Sequence, residues 1–307
     1  MDQTTLRGIR QLIAKHKRWD LVFASIGLLS LAIAGLTFSA LVIDMAIDGS
    51  PRLSWDFFTN FPSRRPAQAG ILSAWVGSTL VMLVTAAAAI PVGVASAVYL
   101  EEYAPKNWFT AIIEINITNL AGVPSIIYGL LALGLFVYAL GLGQSILSAG
   151  LTLGLLILPV VIVATREAIR SIPSAIREAA YAVGATKWQT TWNHVLPYSL
   201  PGIMTGVIIG MARAIGETAP IITIGALTFI AFLPPAPVTA QFPFLSVEWL
   251  SAPFTVMPIQ MFNWTSRPEA AFHENAAAAG LVLLFMTLSM NALAIYIRYR
   301  LRKRIKW

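Results

Sequence analysis

Six long apolar runs leave this chain few ways to fold. They cover residues 21–43, 71–100, 115–142, 146–165, 202–233 and 276–297. A helix needs about 20 apolar residues to cross the hydrocarbon core of a bilayer, and each run is long enough. Five of them contain no Asp, Glu, Lys or Arg. Charged residues make up 11% of the 307 residues, against about 25% in soluble domains. A single water-soluble core cannot hide so much apolar surface. The expectation is an all-α membrane protein with six transmembrane helices.

Lys and Arg outside the runs orient the chain. With both termini cytoplasmic, sixteen of the 21 fall on the inner side, and Arg52, Arg64, Arg65 and Arg267 fall outside. The net charge of +7 is thus a topology signal, and the basic tail 298–307 reads as an anchor at anionic lipid, with no role in binding nucleic acid. The segment 1–20 carries five basic residues before the first span; it lies along the membrane surface or forms a solvated flank. Spans three and four are joined by Gly141-Leu142-Gly143-Gln144, a tight helical hairpin. The predicted outer side has two long loops, 44–70 and 234–275. The second holds seven of the 18 prolines together with Trp249 and Trp264. Proline stiffens such a cap. Interfacial anchoring and docking of an external partner are both open readings. The core of five spans is expected over 71–297, preceded by the separate first span at 21–43.

Catalysis finds little support. Without cysteine there is no thiol chemistry, disulfide or iron–sulfur cluster. His16, His194 and His273 lie in different segments, and no pair of them has metal-ligand spacing. A Gly-x-Ser-x-Gly elbow and a phosphate-cradling Gly-x-x-x-x-Gly-Lys-Ser/Thr loop are both missing. The expectation is a non-enzymatic subunit that binds no cofactor or metal of its own.

The fifth run is the exception among the spans, because it carries Arg213 and Glu217. On a helical wheel with Gly202 at zero, Gly206, Gly210 and Ala214 fall at about 40°, 80° and 120°, with Arg213 at about 20° and Glu217 at about 60°. Small residues at this spacing let membrane helices approach closely. The wheel places both charges within that stripe, facing packed protein or a water path and turned from lipid. A charge at the bilayer centre costs at least about 2.5–3.5 kcal/mol. Two readings stand: an internal salt bridge, or a polar site in a translocation path with Thr218 supplying a hydroxyl. Arg213 has the planar fork that suits a carboxylate or tetrahedral oxyanion. Pro220 perturbs the helix just beyond. In the third run Gly122-Val123-Pro124-Ser125-Ile126-Ile127-Tyr128-Gly129 marks a kink, which packs against neighbours or brings the Ser125 and Tyr128 hydroxyls to the path. Glu114, Asn116, Thr118 and Asn119 make the start of that span polar enough for an inner vestibule.

Between spans four and five lies a long polar segment, 166–201, on the predicted cytoplasmic side. It contains Glu178-Ala179-Ala180, then Gly184, then Leu196-Pro197. The spacing resembles the Glu-Ala-Ala signature of bacterial ABC importer permeases, departing from it at His194, where an aliphatic residue is usual. The resemblance implies the type I, MetI-like fold and a loop whose short helices dock on an ATPase subunit. Ala212-Arg213-Ala214-Ile215-Gly216-Glu217-Thr218-Ala219-Pro220 and Val123-Pro124-Ser125-Ile126-Ile127-Tyr128-Gly129 are similar to phosphate permeases of the PstA type. That resemblance implies a multi-pass subunit of the bacterial cytoplasmic membrane that imports inorganic phosphate. It also implies a second permease of the PstC type, two ATPase subunits of the PstB type carrying MgATP, and an external binding protein of the PstS type. The alternatives are a permease for another oxyanion or a phosphonate, and a secondary transporter.

Overall fold

The computed structural model describes residues 3–238, 244 and 246–303, with the side chains of 3–15, 18 and 301 excepted. Arg304 and Lys306 of the predicted tail lie outside the described residues, as do the side chains of Arg7, Arg10, Lys15 and Arg18. The described chain is helical in five unbroken lengths that can cross a membrane, plus one bent pair.

Helix α1, Gln3–Gly49, runs unbroken through both the basic N-terminal segment and the first predicted span. Its apolar residues from Leu21 to Ile47 are largely exposed, and it touches the bundle near its end. There a Cβ on Gly49 would lie 2.6 Å from the Ala278 backbone, so the glycine permits the approach. A short helix α2, Trp55–Thr59, is capped by the Ser54 hydroxyl accepting from the Phe57 amide. Arg52 fastens this first loop: its guanidinium donates to Asn275 Oδ1 and to the carbonyls of Pro66, Ala67 and Ala69.

The core forms between α3, Leu72–Val98, and two later spans, through Val81, Leu153, Leu156, Ile157, Val161, Ile203 and Val207. A wide π turn, Tyr99–Tyr103, extends α3 into Glu101 and Glu102. The third span does not form one helix with a kink. It breaks into α4, Trp108–Leu120, and α5, Ser125–Ala132, the latter continued by a π-helical stretch to Ala139, with 107° between the two halves. Pro124 has no amide proton to give, its ring would strike the carbonyl of Leu120, and it drives Val123 out of helical backbone. The Tyr128 hydroxyl donates to that Leu120 carbonyl at 2.8 Å and closes the bend.

Gly141 and Gly143 take positive φ and make the predicted hairpin turn. Helix α6, Ile146–Arg170, follows, capped by the Ser145 hydroxyl. The segment 166–201 is shorter as a loop than expected, because helices invade it from both sides. It holds α7, Ser174–Ala182, and α8, Lys187–Thr190, with a capping box between Thr186 and Gln189. From α8 a π turn, Thr191–Val195, runs straight into α9, Leu196–Gly216, so Lys187 to Gly216 is one continuous helix.

The fifth span therefore ends at Gly216 and not at residue 233. In a continued helix Pro220 would oppose the Gly216 carbonyl, which ends the ladder. Glu217 is extended (φ −75°, ψ 124°), and a short helix α10, Ala219–Thr223, restarts the chain. The return loop carries α11, Met257–Thr265, whose first amide donates to Ser78 Oγ at 2.8 Å. The last span is α12, Ala270–Arg302, longer at both ends than the predicted 276–297.

Candidate functional site

The glycine stripe of α9 packs as predicted against α6. A Cβ on Gly202 would sit 2.6 Å from the Ala168 Cβ, and one on Gly206 would overlap the Ala164 Cβ. A Cβ on Gly210 would lie 3.5 Å from Ile157, near the middle of α6. Ala214, one turn on, is 1% exposed. These contacts fix the depth of the helix end: α9 stops half-way along the bundle.

Arg213 occupies the last turn of α9, where a cation complements the helix dipole. Its Nε lies 3.3 Å from Glu217 Oε1, with side chains 39% and 19% exposed. Arg213 is exposed beside the packed stripe, while Glu217 caps α9, its amide donating to the Ala214 carbonyl. Glu217 also borders a small cavity walled by Ser78, Val81, Met82 and Ala214.

The two broken spans meet beside this pair. Gly129 of α5 lies so close to α10 that a Cβ would be 2.6 Å from Pro220 Cα and would overlap the Thr223 hydroxyl. Ser125 opens α5 and Thr218 precedes α10, both half-buried. Tyr128 is buried within reach of the Arg213 charge, and its hydroxyl proton is committed to Leu120. Tyr128 is therefore first a clasp on the bend. Discontinuous membrane helices, with their freed backbone ends at mid-depth, recur as the binding elements of transporters.

At the other end α7 exposes Glu178 and Ala179 and buries Ala180. Gly184 has φ +85°, and its amide donates to the Tyr181 carbonyl while that of Ala185 donates to Ala180, a Schellman stop for α7. Leu196 and Pro197 form the first turn of α9, with His194 exposed just before. Trp188 and Trp192 stack at 5.4 Å and are exposed beside Val183, which gives this end an apolar surface.

Sequence reasoning missed an ionic cluster behind that surface. Arg166 is 6% exposed. Its Nε is 3.4 Å from Glu101, and its Nη2 is 2.6 Å from Glu114, a charge contact too poorly aligned for a hydrogen bond. Arg170 joins Glu101 at 2.9 Å and Glu167 at 3.3 Å. Arg177 joins Glu102 at 2.7 Å. The available signal was Glu101-Glu102 directly after an apolar run, answered by Arg166 and Arg170 one helical turn apart. These arginines entered the sequence reading as topology counts alone. A cavity of about 410 Å³ opens here, walled by Glu114, Thr118, Asn119, Arg166, Glu167 and Arg170. Asn116 instead donates to the Ile112 carbonyl. No group of three potential metal ligands occurs among the described residues.

A helical bundle with two spans broken around an ion pair at mid-depth, and a short helix pair at one end, defines a membrane permease. Residues 89–307 match the family "Binding-protein-dependent transport system inner membrane component", and the chain belongs to it. It is a multi-pass protein of the bacterial inner membrane. Among relatives, it is 31% identical over 235 residues to the phosphate transport system permease protein PstA 1 of Mycobacterium tuberculosis (strain CDC 1551 / Oshkosh), covering 76% of this chain and 72% of that one. It is 32% identical over 251 residues to the probable ABC transporter permease protein YqgI of Bacillus subtilis, covering 80% and 84%. To the phosphate transport system permease protein PstA of Yersinia pestis it is 30% identical over 257 residues, covering 82% and 79%. A subunit of a bacterial alginate ABC transporter shares the fold, with TM-score 0.64 at 16% identity over 92% of this chain and 96% of that one.

Proposed function

We propose that this chain is the permease subunit of an ATP-driven inorganic phosphate importer, forming half of the translocation path. The observation that carries this is the Arg213–Glu217 pair, part-exposed at mid-depth where two broken spans meet. A charge facing lipid at that depth costs at least about 2.5–3.5 kcal/mol. A second permease must cover that face, and the path then runs between the two. Relatives in two organisms that are named as phosphate transport permeases support phosphate as the ion.

Both termini face the cytoplasm in this reading. The helices α7 and α8 dock on one of two ATPase subunits, which hold the MgATP; this chain hydrolyses nothing. An external binding protein delivers phosphate to the loops at the α11 end. The partners are of the PstC, PstB and PstS types. Arg213 supplies positive charge through a fork that fits an oxyanion. At neutral pH phosphate keeps a proton on one oxygen and can donate to Glu217, which sulfate cannot. Ser125 and Thr218 flank the pair with hydroxyls.

The test is ATP-dependent uptake of labelled phosphate by vesicles holding the assembled complex. Arg213→Gln is expected to abolish uptake with the complex intact, and unchanged uptake would sink the pathway role. Glu217→Gln is expected to narrow the preference for phosphate over sulfate. Lower uptake with the preference unchanged would leave Glu217 as a positioning partner of Arg213. Uptake of molybdate or a phosphonate in place of phosphate would reassign the substrate.

A further inference from the structure

Helix α7 is held to the bundle by little apolar surface: among its described residues only Ala180 is buried. What fastens it is Arg177. One guanidinium donates to Glu102 Oε1 from Nε at 3.1 Å and from Nη2 at 2.7 Å, to the Ile172 carbonyl at 2.9 Å and to the Ile169 carbonyl at 3.2 Å. Glu102 sits in the π turn that ends α3, with its side chain 7% exposed, and Ile169 lies in the last turn of α6. Three elements therefore meet on one side chain. Arginine alone offers five donors in a planar fork; lysine offers three from a single point.

The next residue along, Glu178, is exposed on α7, so adjacent positions present the docking face and grip the bundle. The connection continues beyond α3. Glu101, beside Glu102, pairs with Arg166, and Arg166 reaches Glu114 on α4. Helix α4 is one half of the broken span whose other half, α5, packs on α10 next to the Arg213–Glu217 pair.

A buried ion pair is a poor way to gain stability, since apolar residues of the same volume often serve as well. A joint of several directed bonds does something apolar packing does not: it holds under pull as well as under push. We propose that Arg177 and Glu102 are the linkage that passes movement of α7 to α3 and, through Glu101 and Arg166, to α4. Both are positioning residues that touch neither substrate nor nucleotide. The inference rests on α7 as the ATPase-docking element.

The chain has no cysteine, so one introduced thiol is the only one on this subunit, and label is read on this subunit after separation from the ATPase. In the complex reconstituted with its ATPase, Ile126→Cys on α5 is labelled by a thiol reagent with and without ATP, and hydrolysis is followed in parallel. Arg177→Ala and Glu102→Ala are expected to shrink the ATP-dependent change in labelling rate about tenfold while hydrolysis stays within about twofold. The charge-swapped pair, Arg177→Glu with Glu102→Arg, is expected to recover part of the response. A full ATP response in both single variants overturns the proposal. So does loss of hydrolysis and of ATPase co-purification together, which would make Arg177 a docking residue. Should the alanine variants not assemble, Arg177→Lys and Glu102→Gln carry the test: a weakened response is expected, and an unchanged one overturns it. The readout needs no substrate. Absence of phosphate uptake by the wild-type complex would therefore end the substrate reading without touching this one.

Discussion

Arginine meets glutamate in two regions of this molecule under very different conditions. At the α7 end, Arg166 and Glu102 each have side chains 7% exposed, and Arg177 spends donors on a carboxylate and two carbonyls. Half-way along the bundle Arg213 makes one ion-pair contact among the described residues, through Nε at 3.3 Å, and is 39% exposed. In the first region Arg166 and Glu102 are buried and Arg177 spends its fork on the fold, so these charges act as fasteners. The second keeps guanidinium donors to spare and faces outward, the condition for taking a ligand. The same two residue types thus serve structure or binding according to how many of their donors the fold has already used.

The strongest way to break this contrast is to remove one arginine from each region. Arg166→Ala leaves Glu114 without its partner and Glu101 with Arg170 alone; losing one partner of a fully buried pair costs about 3–5 kcal/mol, an upper bound here because Glu114 is part-exposed. Arg213→Ala loosens a pair with a substantially exposed member, which is worth about 0–1 kcal/mol. Thermal unfolding of the purified protein in detergent should therefore show a large loss for the first and almost none for the second. Equal losses would erase the distinction between fastener and site.

A smaller effect sharpens the contrast from the other side. Gly129→Ala puts a methyl against the Pro220 backbone, where α5 and α10 touch. Overpacking of this kind costs about 1–3 kcal/mol. Phosphate uptake is expected to fall because the two broken spans are forced apart, while co-purification with the ATPase stays intact. Loss of both would mean that the site and the α7 end are not separable.

Apolar run lengths were enough to find the five unbroken lengths, the bent pair, and the segment between the fourth and fifth runs. The breaks were harder, because hydropathy counts side chains and says nothing of where backbone bonds fail. Proline alone does not decide it: Pro91, Pro159 and Pro201 all sit inside continuous helices. At Pro124 a glycine two residues earlier and a tyrosine able to cap the freed carbonyl tip the balance, and only the folded chain brings Tyr128 to Leu120. The helical wheel placed Gly202, Gly206, Gly210 and Ala214 well because α9 is regular there. It carried the helix on past Glu217, where the chain turns extended because Pro220 ends the ladder. The ionic cluster was missed for a different reason: Glu101 and Arg166 are 65 positions apart and meet only through tertiary packing, so the charges could be seen but not their pairing.

The mildest prediction concerns the joint between the docking helices. Gly184 has φ +85°, yet a Cβ there would meet nothing within 4 Å. Its requirement is conformational and not spatial, so Gly184→Ala should cost about 1–2 kcal/mol through left-handed backbone alone. Asparagine tolerates that region better than alanine, so Gly184→Asn should cost less. The Schellman bonds from Gly184 and Ala185 set the angle between α7 and α8. Strain at this point should weaken ATPase co-purification in the order Ala more than Asn. The cost falls on local opening of α7 and α8, so the thermal midpoint of the isolated chain should move little, because α7 buries so little. Were alanine and asparagine to behave alike, space and not backbone would be the constraint, and α7 would have to pack against something at Gly184 in the complex.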